Sequence, residues 1–374
     1  MKLALPFILL LAATPPIQDG KTPKPTKTPL KAATFNKGHF HPGYGIQEDP
    51  PLKGWKATVG GEPFIFFDLD GDGALAVEKD GLAIPTAPFV VPIPDVLLTR
   101  GGQFEIAFDG TTHVTLTRQD LGKWNSLVPE MALMTTLRIK AGVRPAMFSA
   151  LASSHCELHC DYLNLNGETD GSTGMGLHKE DPKKKGYTPE GAAAAAGSNL
   201  GAKSDDPKSA LMSWYQSVWH RVHMVGSHLK SFGFALKHGV AMLYFFQRTA
   251  PGDRPQCHPA DGATGVLTSF SVRGERPNPV PKSDYGRGSG FPILLLLRGE
   301  PGELEAAKLT DAAGRLVEGT QSCPINPANR DWPHNSGCAV FVPSKPLAPN
   351  MTYKARFEFK GLDKPIEWSF TTGR

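Results

Sequence analysis

The hydrophobic pattern divides residues 55–374 into three stretches, and the first of them is rich in β-type runs. Between Trp55 and Leu121, short apolar runs such as 64–67 and 104–108 are separated by Gly and Asp clusters. This pattern predicts a small antiparallel β module over residues 55–121.

The middle stretch, residues 124–250, has helical periodicity. Apolar residues recur at helical spacing as far as Leu137, and again from Phe148 to Tyr162. A third helix is predicted over 207–225. Two short β-like segments follow it, and helices that flank a few strands predict a layered α/β domain.

The last stretch, residues 265–374, alternates apolar and charged side chains. Tyr353, Ala355, Phe357 and Phe359 alternate with Lys and Arg or Glu residues. Such half-buried strands predict an Ig-like β-sandwich. The Pro/Gly-rich segment 251–264 is expected to link it to the middle domain.

The first 54 residues lack a repeating apolar pattern. Lys2 precedes an apolar run from Leu3 to Ala13, which is too short to span a bilayer and is typical of a signal peptide. We expect the signal peptide over residues 1–14 and a Pro/Lys-rich flexible linker over 15–54. The mature protein is expected to be secreted or in the cell envelope, without a transmembrane helix.

Composition narrows the classes of partner. The formal charge is +4 over 374 residues, with no basic stripe interleaved with aromatic residues, so no nucleic-acid partner is expected. Five cysteines fit an oxidising compartment. Cys323 and Cys338 are the best disulfide candidates, and the pairing of Cys156, Cys160 and Cys257 stays open.

Two clusters could carry chemistry. In the middle stretch, imidazoles and carboxylates on separate elements could bind zinc or another divalent ion, or move protons; structural hydrogen bonding is the alternative. Its members are His178, Glu180, Glu190, His220 and His223. In the first module, Asp68, Asp70 and Asp72 copy the start of a calcium loop, although the twelfth position is Lys79; an acidic turn is the alternative.

The middle stretch also resembles a known family. The segments 137–145 and 159–163, His178, the pair Glu190-Gly191 and the run from Trp214 to Arg221 follow the order of bacterial CAP (SCP-like) domains. The resemblance covers about residues 127–250. It implies an α-β-α sandwich whose cleft is lined by two histidines and two acids.

On this resemblance the cleft histidines are His178 and His220, and one acid is Glu190. Ser217 stands where the second acid is expected, and Glu180 could compensate for it. The implied function is an extracellular binding module for a divalent metal or for a small or lipid ligand. The ligand could also be a protein or a cell-wall component.

Two other functions remain open: a metal-dependent, peptidase-like hydrolase and a structural cell-surface protein. The incomplete acid set favours binding over catalysis. The predicted fold class is α+β and multidomain. A central CAP sandwich is flanked by an N-terminal small β module and a C-terminal Ig-like sandwich. Segments 346–353 and 368–373 also resemble the Ig-like domain that is attached to some CAP domains.

Overall fold

The computed structural model describes three parts that follow one another along the chain. Among the described residues, no helix is long and apolar enough to cross a membrane. The predicted signal peptide lies outside these residues. The ranges described are 24–35, 39–40, 52–87, 89–172, 174–249, 255–271, 275, 279–281, 288–297, 302–328 and 337–374.

The first part is a β module of two sheets. Its strands are β1 (Thr26–Pro29), β2 (Lys31–Phe35), β3 (His39–Phe40), β4 (Leu52–Val59), β5 (Glu62–Phe67), β6 (Gly81–Ala83), β7 (Phe89–Pro92), β8 (Val96–Thr99), β9 (Gly102–Asp109) and β10 (His113–Arg118).

The two sheets have the orders β2-β4-β5-β6-β7-β3 and β1-β10-β9-β8. Residues 26–35 lie inside the predicted linker but form β1 and β2, so the flexible-tether prediction is wrong for them. Strand β1 pairs with β10, and β2 pairs with β4. Backbone hydrogen bonds to an existing sheet edge can order a segment that lacks an apolar repeat.

The second part contains the five α-helices of the described residues. Its elements are a 3₁₀ helix (Gly122–Leu127), α1 (Val128–Lys140), β11 (Met147–Phe148), α2 (Ala150–Leu165), a second 3₁₀ helix (Gly174–His178), α3 (Pro189–Ala196), β12 (Ser198–Ala202), α4 (Pro207–Gln216), α5 (Trp219–Val225), β13 (Leu229–Lys237) and β14 (Val240–Arg248).

These elements form three layers around one sheet of order β11-β13-β14-β12. Successive residues of a strand point to opposite faces. Phe232, Phe234 and Leu243 pack with α1 and α4, whereas Ala235 and Met242 pack with α2 and α3. The layered α/β arrangement predicted for this stretch is confirmed.

Helix α2 lies unusually close to the sheet at Gly233. A Cβ placed on Gly233 would lie 2.3 Å from the carbonyl carbon of Ala152 and 2.5 Å from the backbone nitrogen of Ser153. The missing side chain therefore sets the distance between the helix and β13.

The third part is a β-sandwich with one apolar core. Its strands are β15 (Gln256–His258), β16 (Ala263–Val266), β17 (Ser269–Phe270), β18 (Ser289–Gly290), β19 (Ile293–Leu296), β20 (Leu304–Asp311), β21 (Gly319–Ser322), β22 (Cys338–Pro343), β23 (Thr352–Phe359) and β24 (Ile366–Thr372).

Its larger sheets have the orders β15-β19-β22-β21 and β16-β24-β23-β20, and the apolar residues of both meet in one cluster. The predicted strands around Tyr353 and Trp368 are β23 and β24. The Ig-like classification stays a prediction.

The second and third parts also share an apolar cluster. Val218 and Val222 of the α5 region pack with Leu294, Val340 and Val342 of the sandwich. This contact holds α5 between the two parts, and α5 carries His220 and Arg221.

The predicted disulfide between Cys323 and Cys338 is wrong. All five cysteines are described, buried and free. Cys338 lies on the face of β22 that packs toward α5, whereas Cys323 belongs to the core between the sheets. Cys156 and Cys160 lie on the face of α2 that packs against the sheet, and Cys257 packs in the sandwich, so neither pairs with it.

Candidate functional site

The site is built at a break in the predicted third helix. The spacing predicts one helix over 207–225, but Ser217 has φ −77° and ψ 170°, which ends α4 before α5 begins. The Ser217 hydroxyl bonds the carbonyl of Trp214 at 3.0 Å. The next two backbone N–H groups, of Val218 and Trp219, therefore need acceptors outside the helix.

Glu275 supplies both acceptors from the third part of the chain. Its carboxylate oxygens accept from the N–H of Val218 at 3.1 Å and of Trp219 at 2.9 Å. The side chain is fully buried, and burial raises its pKa to about 7 despite these bonds. A carboxylate from the third part of the chain thus lies beside the helix break.

His220 contacts this carboxylate from the first turn of α5. Its Nδ1 lies 2.8 Å from the Ser217 hydroxyl and 3.6 Å from Glu275 Oε1. The hydroxyl's single hydrogen goes to an oxygen acceptor, so its oxygen accepts the Nδ1–H of His220. Nε2 then carries the lone pair, and 22% of the side chain remains exposed.

His178 has the same tautomer. It ends the second 3₁₀ helix, and its Nδ1 donates to the carbonyl of Ala195 at 3.1 Å. A carbonyl can only accept, so a neutral His178 has its lone pair on Nε2. Burial, and to a lesser extent the charge of His159, lower its pKa.

His178, His220 and His223 act on one another electrostatically, and we call them the histidine cluster. Burial lowers the pKa of His220 to about 4, with a further contribution from His178. Burial likewise lowers the pKa of His223 to about 4, and Arg248, His220 and His178 contribute. The cluster is therefore uncharged at neutral pH, and its lone pairs are available to a ligand.

Glu180 is engaged elsewhere. Its Oε1 lies 2.9 Å from Nδ1 of His159, and its Oε2 accepts from the N–H of Thr188 at 3.1 Å. Nε2 of His159 meets the carbonyl of Leu177 at 2.7 Å. Both ring nitrogens of His159 therefore lie against oxygen atoms, and these contacts tie α2 to the loop before α3.

Glu190 is not among the charges that act on the histidine cluster. It is exposed in the first turn of α3, and its charge raises the pKa of His155, although burial lowers that pKa overall. His155 packs edge-on against Phe246 at 5.9 Å. Of the predicted residues, Ser217 and His220 touch and His178 acts on the pKa of His220, whereas Glu180 contacts His159 and the charge of Glu190 acts on His155.

Sequence reasoning missed Glu275 as a site residue. It is a single acid before a Pro-rich run, 55 positions after His220, with no periodicity to single it out. Only the folded structure brings it to the helix break at Ser217.

The described residues contain one group of three or more metal-type ligand atoms within 4.8 Å of one another: Asp68, Asp70 and Asp80. Asp80 is buried and also accepts the N–H groups of Leu69 and Ala76. The third predicted calcium ligand, Asp72, instead accepts the N–H of Ala74 at 2.8 Å. The structure thus places Asp80 where the sequence pattern had placed Asp72.

The middle part matches a known family. Residues 131–246 match the family described as "CAP: Cysteine-rich secretory protein family". No curated protein matches this chain. Among solved structures, it is similar to an extracellular protein containing a SCP domain from Bacillus anthracis str. Ames. The identity is 12%, the match covers 53% of this chain and 68% of that chain, and the TM-score is 0.27.

The family match spans α1 from Met131 onward, helices α2 to α5 and the sheet between them. It includes the segments that resemble bacterial CAP domains in the sequence. Residues 131–246 of this chain therefore form a CAP domain.

Proposed function

We propose that this protein is an extracellular binding module whose CAP domain holds a divalent transition metal ion at Nε2 of His178 and of His220. The tautomers carry the proposal: each Nδ1–H is committed to an oxygen acceptor, and each Nε2 keeps its lone pair. The matching family is one of secretory proteins, which supports the extracellular location.

The donor set fits a metal with open coordination positions. Two imidazoles suit zinc, copper or nickel, and His223 is a third imidazole nearby. Among the described residues, no group of three metal-type ligand atoms includes these histidines. Water or a bound ligand would fill the remaining positions.

Binding is better supported than hydrolysis. Hydrolysis needs a base that can touch a substrate or its water. Glu180 is bonded to His159, Glu190 acts on His155, and the Glu275 side chain is fully buried. Two of the three carboxylates are thus engaged with other protein groups, and the charge of Glu190 acts on His155.

Calorimetric titration of metal-stripped full-length protein with zinc tests the proposal. We expect saturable binding near one equivalent that disappears in the His178→Ala/His220→Ala double variant. The His113→Ala/His238→Ala variant, which removes two imidazoles elsewhere, is the matched control and should bind as the wild type does. Equal binding by both variants, or none by the wild type, would overturn the metal site.

The pH dependence of zinc binding gives a second test. Protons compete with a metal only near the ligand's pKa, and that of His220 is lowered to about 4. We expect zinc affinity to change less than threefold between pH 7.5 and 6. A site of ordinary histidines, with pKa near 6.5, would weaken steadily over this range.

We also propose that Asp68, Asp70 and Asp80 bind a calcium ion. Three carboxylates from the segment 68–80 supply the oxygen ligands that calcium prefers. Millimolar calcium should raise the melting temperature of the wild type but not of Asp70→Asn. Asp72→Asn is the control and should keep the calcium response; a wild type that does not respond refutes the site.

A further inference from the structure

A cavity lies between the CAP domain and the β-sandwich. Its volume is about 170 Å³. Helices α1, α4 and α5 form one side, through residues such as Leu137, Met212 and Tyr215. The segment around β16 and the ring of Phe291 form the other.

Arg221 lines this cavity, and its side chain is incompletely satisfied. The residue is 1% exposed. Nη2 donates to the carbonyl of Pro292, and the guanidinium lies over the ring of Phe291 at 4.1 Å. Nε and Nη1 are buried and have no hydrogen-bond partner among the described residues. Such donors are costly to leave unpaired.

Arg138 shows how the same domain satisfies a buried arginine. It is 0% exposed, and its guanidinium donates to the backbone carbonyls of Arg144, Met224, Gly226 and Leu229. Arg221 has one carbonyl where Arg138 has four. Since both arginines are equally buried, burial alone does not explain the open donors of Arg221.

The charge of Arg221 also lacks a direct counterion. No carboxylate of the described residues lies within ion-pair distance of it, although the charge of Glu275 acts on it from farther away. Lys140 adds a second cation at the wall of the cavity. An anion in the cavity would supply the missing acceptors and neutralise a buried charge.

The walls and size restrict what that anion can be. Apart from the cations, the lining is largely apolar and aromatic, with Leu137, Met212, Phe291, Ala260 and Val266. An apolar cavity of about 150 Å³ holds a benzene molecule. The cavity therefore matches one carboxylate group attached to a compact apolar body.

We infer that this cavity is a binding site for a small organic carboxylate with an aromatic or branched apolar body, whose carboxylate accepts hydrogen bonds from Arg221. The site is separate from the histidine cluster and does not depend on the proposed metal.

Calorimetric titration of the full-length protein with benzoate, beside the neutral benzyl alcohol, tests the inference. We expect saturable benzoate binding at one equivalent, with benzyl alcohol at least tenfold weaker. Arg221→Met should weaken benzoate at least tenfold. The same change at exposed Arg315 is the matched control and should leave the affinity unchanged.

A second variant tests the cavity without removing the arginine. Leu267 lines the cavity, is half-buried and lies outside the core clusters, so Leu267→Trp should fill the space and weaken benzoate at least tenfold. This variant decides the question if Arg221→Met does not fold. The inference is overturned if the wild type does not bind benzoate. Equal affinity for benzyl alcohol, or wild-type affinity in Leu267→Trp or folded Arg221→Met, would also overturn it.

Discussion

Replacement of Glu275 by glutamine should make the stability of this protein depend differently on pH. Burial raises the pKa of Glu275 from an ordinary 4.5 to about 7 in the folded protein. Between these values the folded state holds a proton that the unfolded state has lost. The free energy of unfolding contributed by Glu275 is therefore greatest below pH 4.5 and is lost as the pH rises to about 7.

The magnitude follows from the two pKa values. The difference between about 7 and 4.5, at about 1.4 kcal/mol for each pH unit, corresponds to about 3 kcal/mol. Glutamine does not ionise, so this loss does not occur in Glu275→Gln. Its amide keeps one oxygen for the N–H groups of Val218 and Trp219, and the lost acceptor costs about 1 kcal/mol at every pH.

Together, the two effects predict that the difference in stability between Glu275→Gln and the wild type changes sign with pH. At pH 4.5 the variant should be less stable than the wild type by about 1 kcal/mol, and at pH 8 more stable by about 2 kcal/mol. The measurement is chemical denaturation from pH 4.5 to 8, followed by the fluorescence of Trp214 and Trp219, which flank the helix break.

Comparison with the wild type is necessary because buried histidines have the opposite pH dependence. The pKa values of His220, His223 and His228 are lowered to about 4, so their contribution is lost as the pH falls from 6.5 to 4. Subtracting the two curves removes this shared contribution. The exposed Glu305→Gln serves as the control and should give a curve parallel to the wild type.

Parallel curves for Glu275→Gln and the wild type between pH 4.5 and 7 would refute this account. They would mean that Glu275 titrates in the folded protein as it does in the unfolded chain. The carboxyl group of Glu275 would then not be buried against the start of α5 in solution.

Three further predictions concern buried groups. Arg138→Met should lower the free energy of unfolding by about 3 to 5 kcal/mol, because carbonyls at the end of α5 lose their donor. Arg221→Met should not lower the free energy of unfolding, because two of its donors have no partner among the described residues. Equal losses in the two variants would contradict this prediction. A thiol reagent should modify no cysteine in the native protein and all five after unfolding. All five are buried, and burial raises the pKa of Cys160 and Cys338 to about 12. Fewer than five modified cysteines in the unfolded protein would reveal a disulfide. Gly233→Val should lower the melting temperature far more than Gly302→Val, where an added Cβ meets only the carbonyl oxygen of Lys360 at 3.4 Å; similar losses would exclude the helix contact as the cause.

The local pattern determined much of the CAP domain. Helical periodicity predicted α1 and α2, and alternation within 232–246 corresponds to β13 and β14. These elements form because their apolar side chains face the core at regular intervals, and that spacing can be recognised in the local sequence. The order of the motifs likewise determined the family, which the match over 131–246 confirms.

Periodicity did not determine the ends of elements or the edge strands. One apolar face runs through 207–225, yet Ser217 ends α4 because Glu275, distant in sequence, accepts the N–H groups of the next turn. Strands β1 and β2 have no apolar repeat and depend on backbone bonds to β10 and β4. Contacts between distant residues decide both features.

The same distinction applies to the candidate sites. Residue type and order determined His178 and His220 as candidates, because imidazoles suited to metal binding can be recognised one at a time. Only the tertiary structure decided their tautomers, turned Glu180 toward His159, and brought Glu275 beside His220. The cavity at Arg221 is formed by two parts of the chain packing together, so no local pattern could contain it. Burial and hydrogen-bond partners are properties of the packed chain, and they decide which of these groups can bind a ligand.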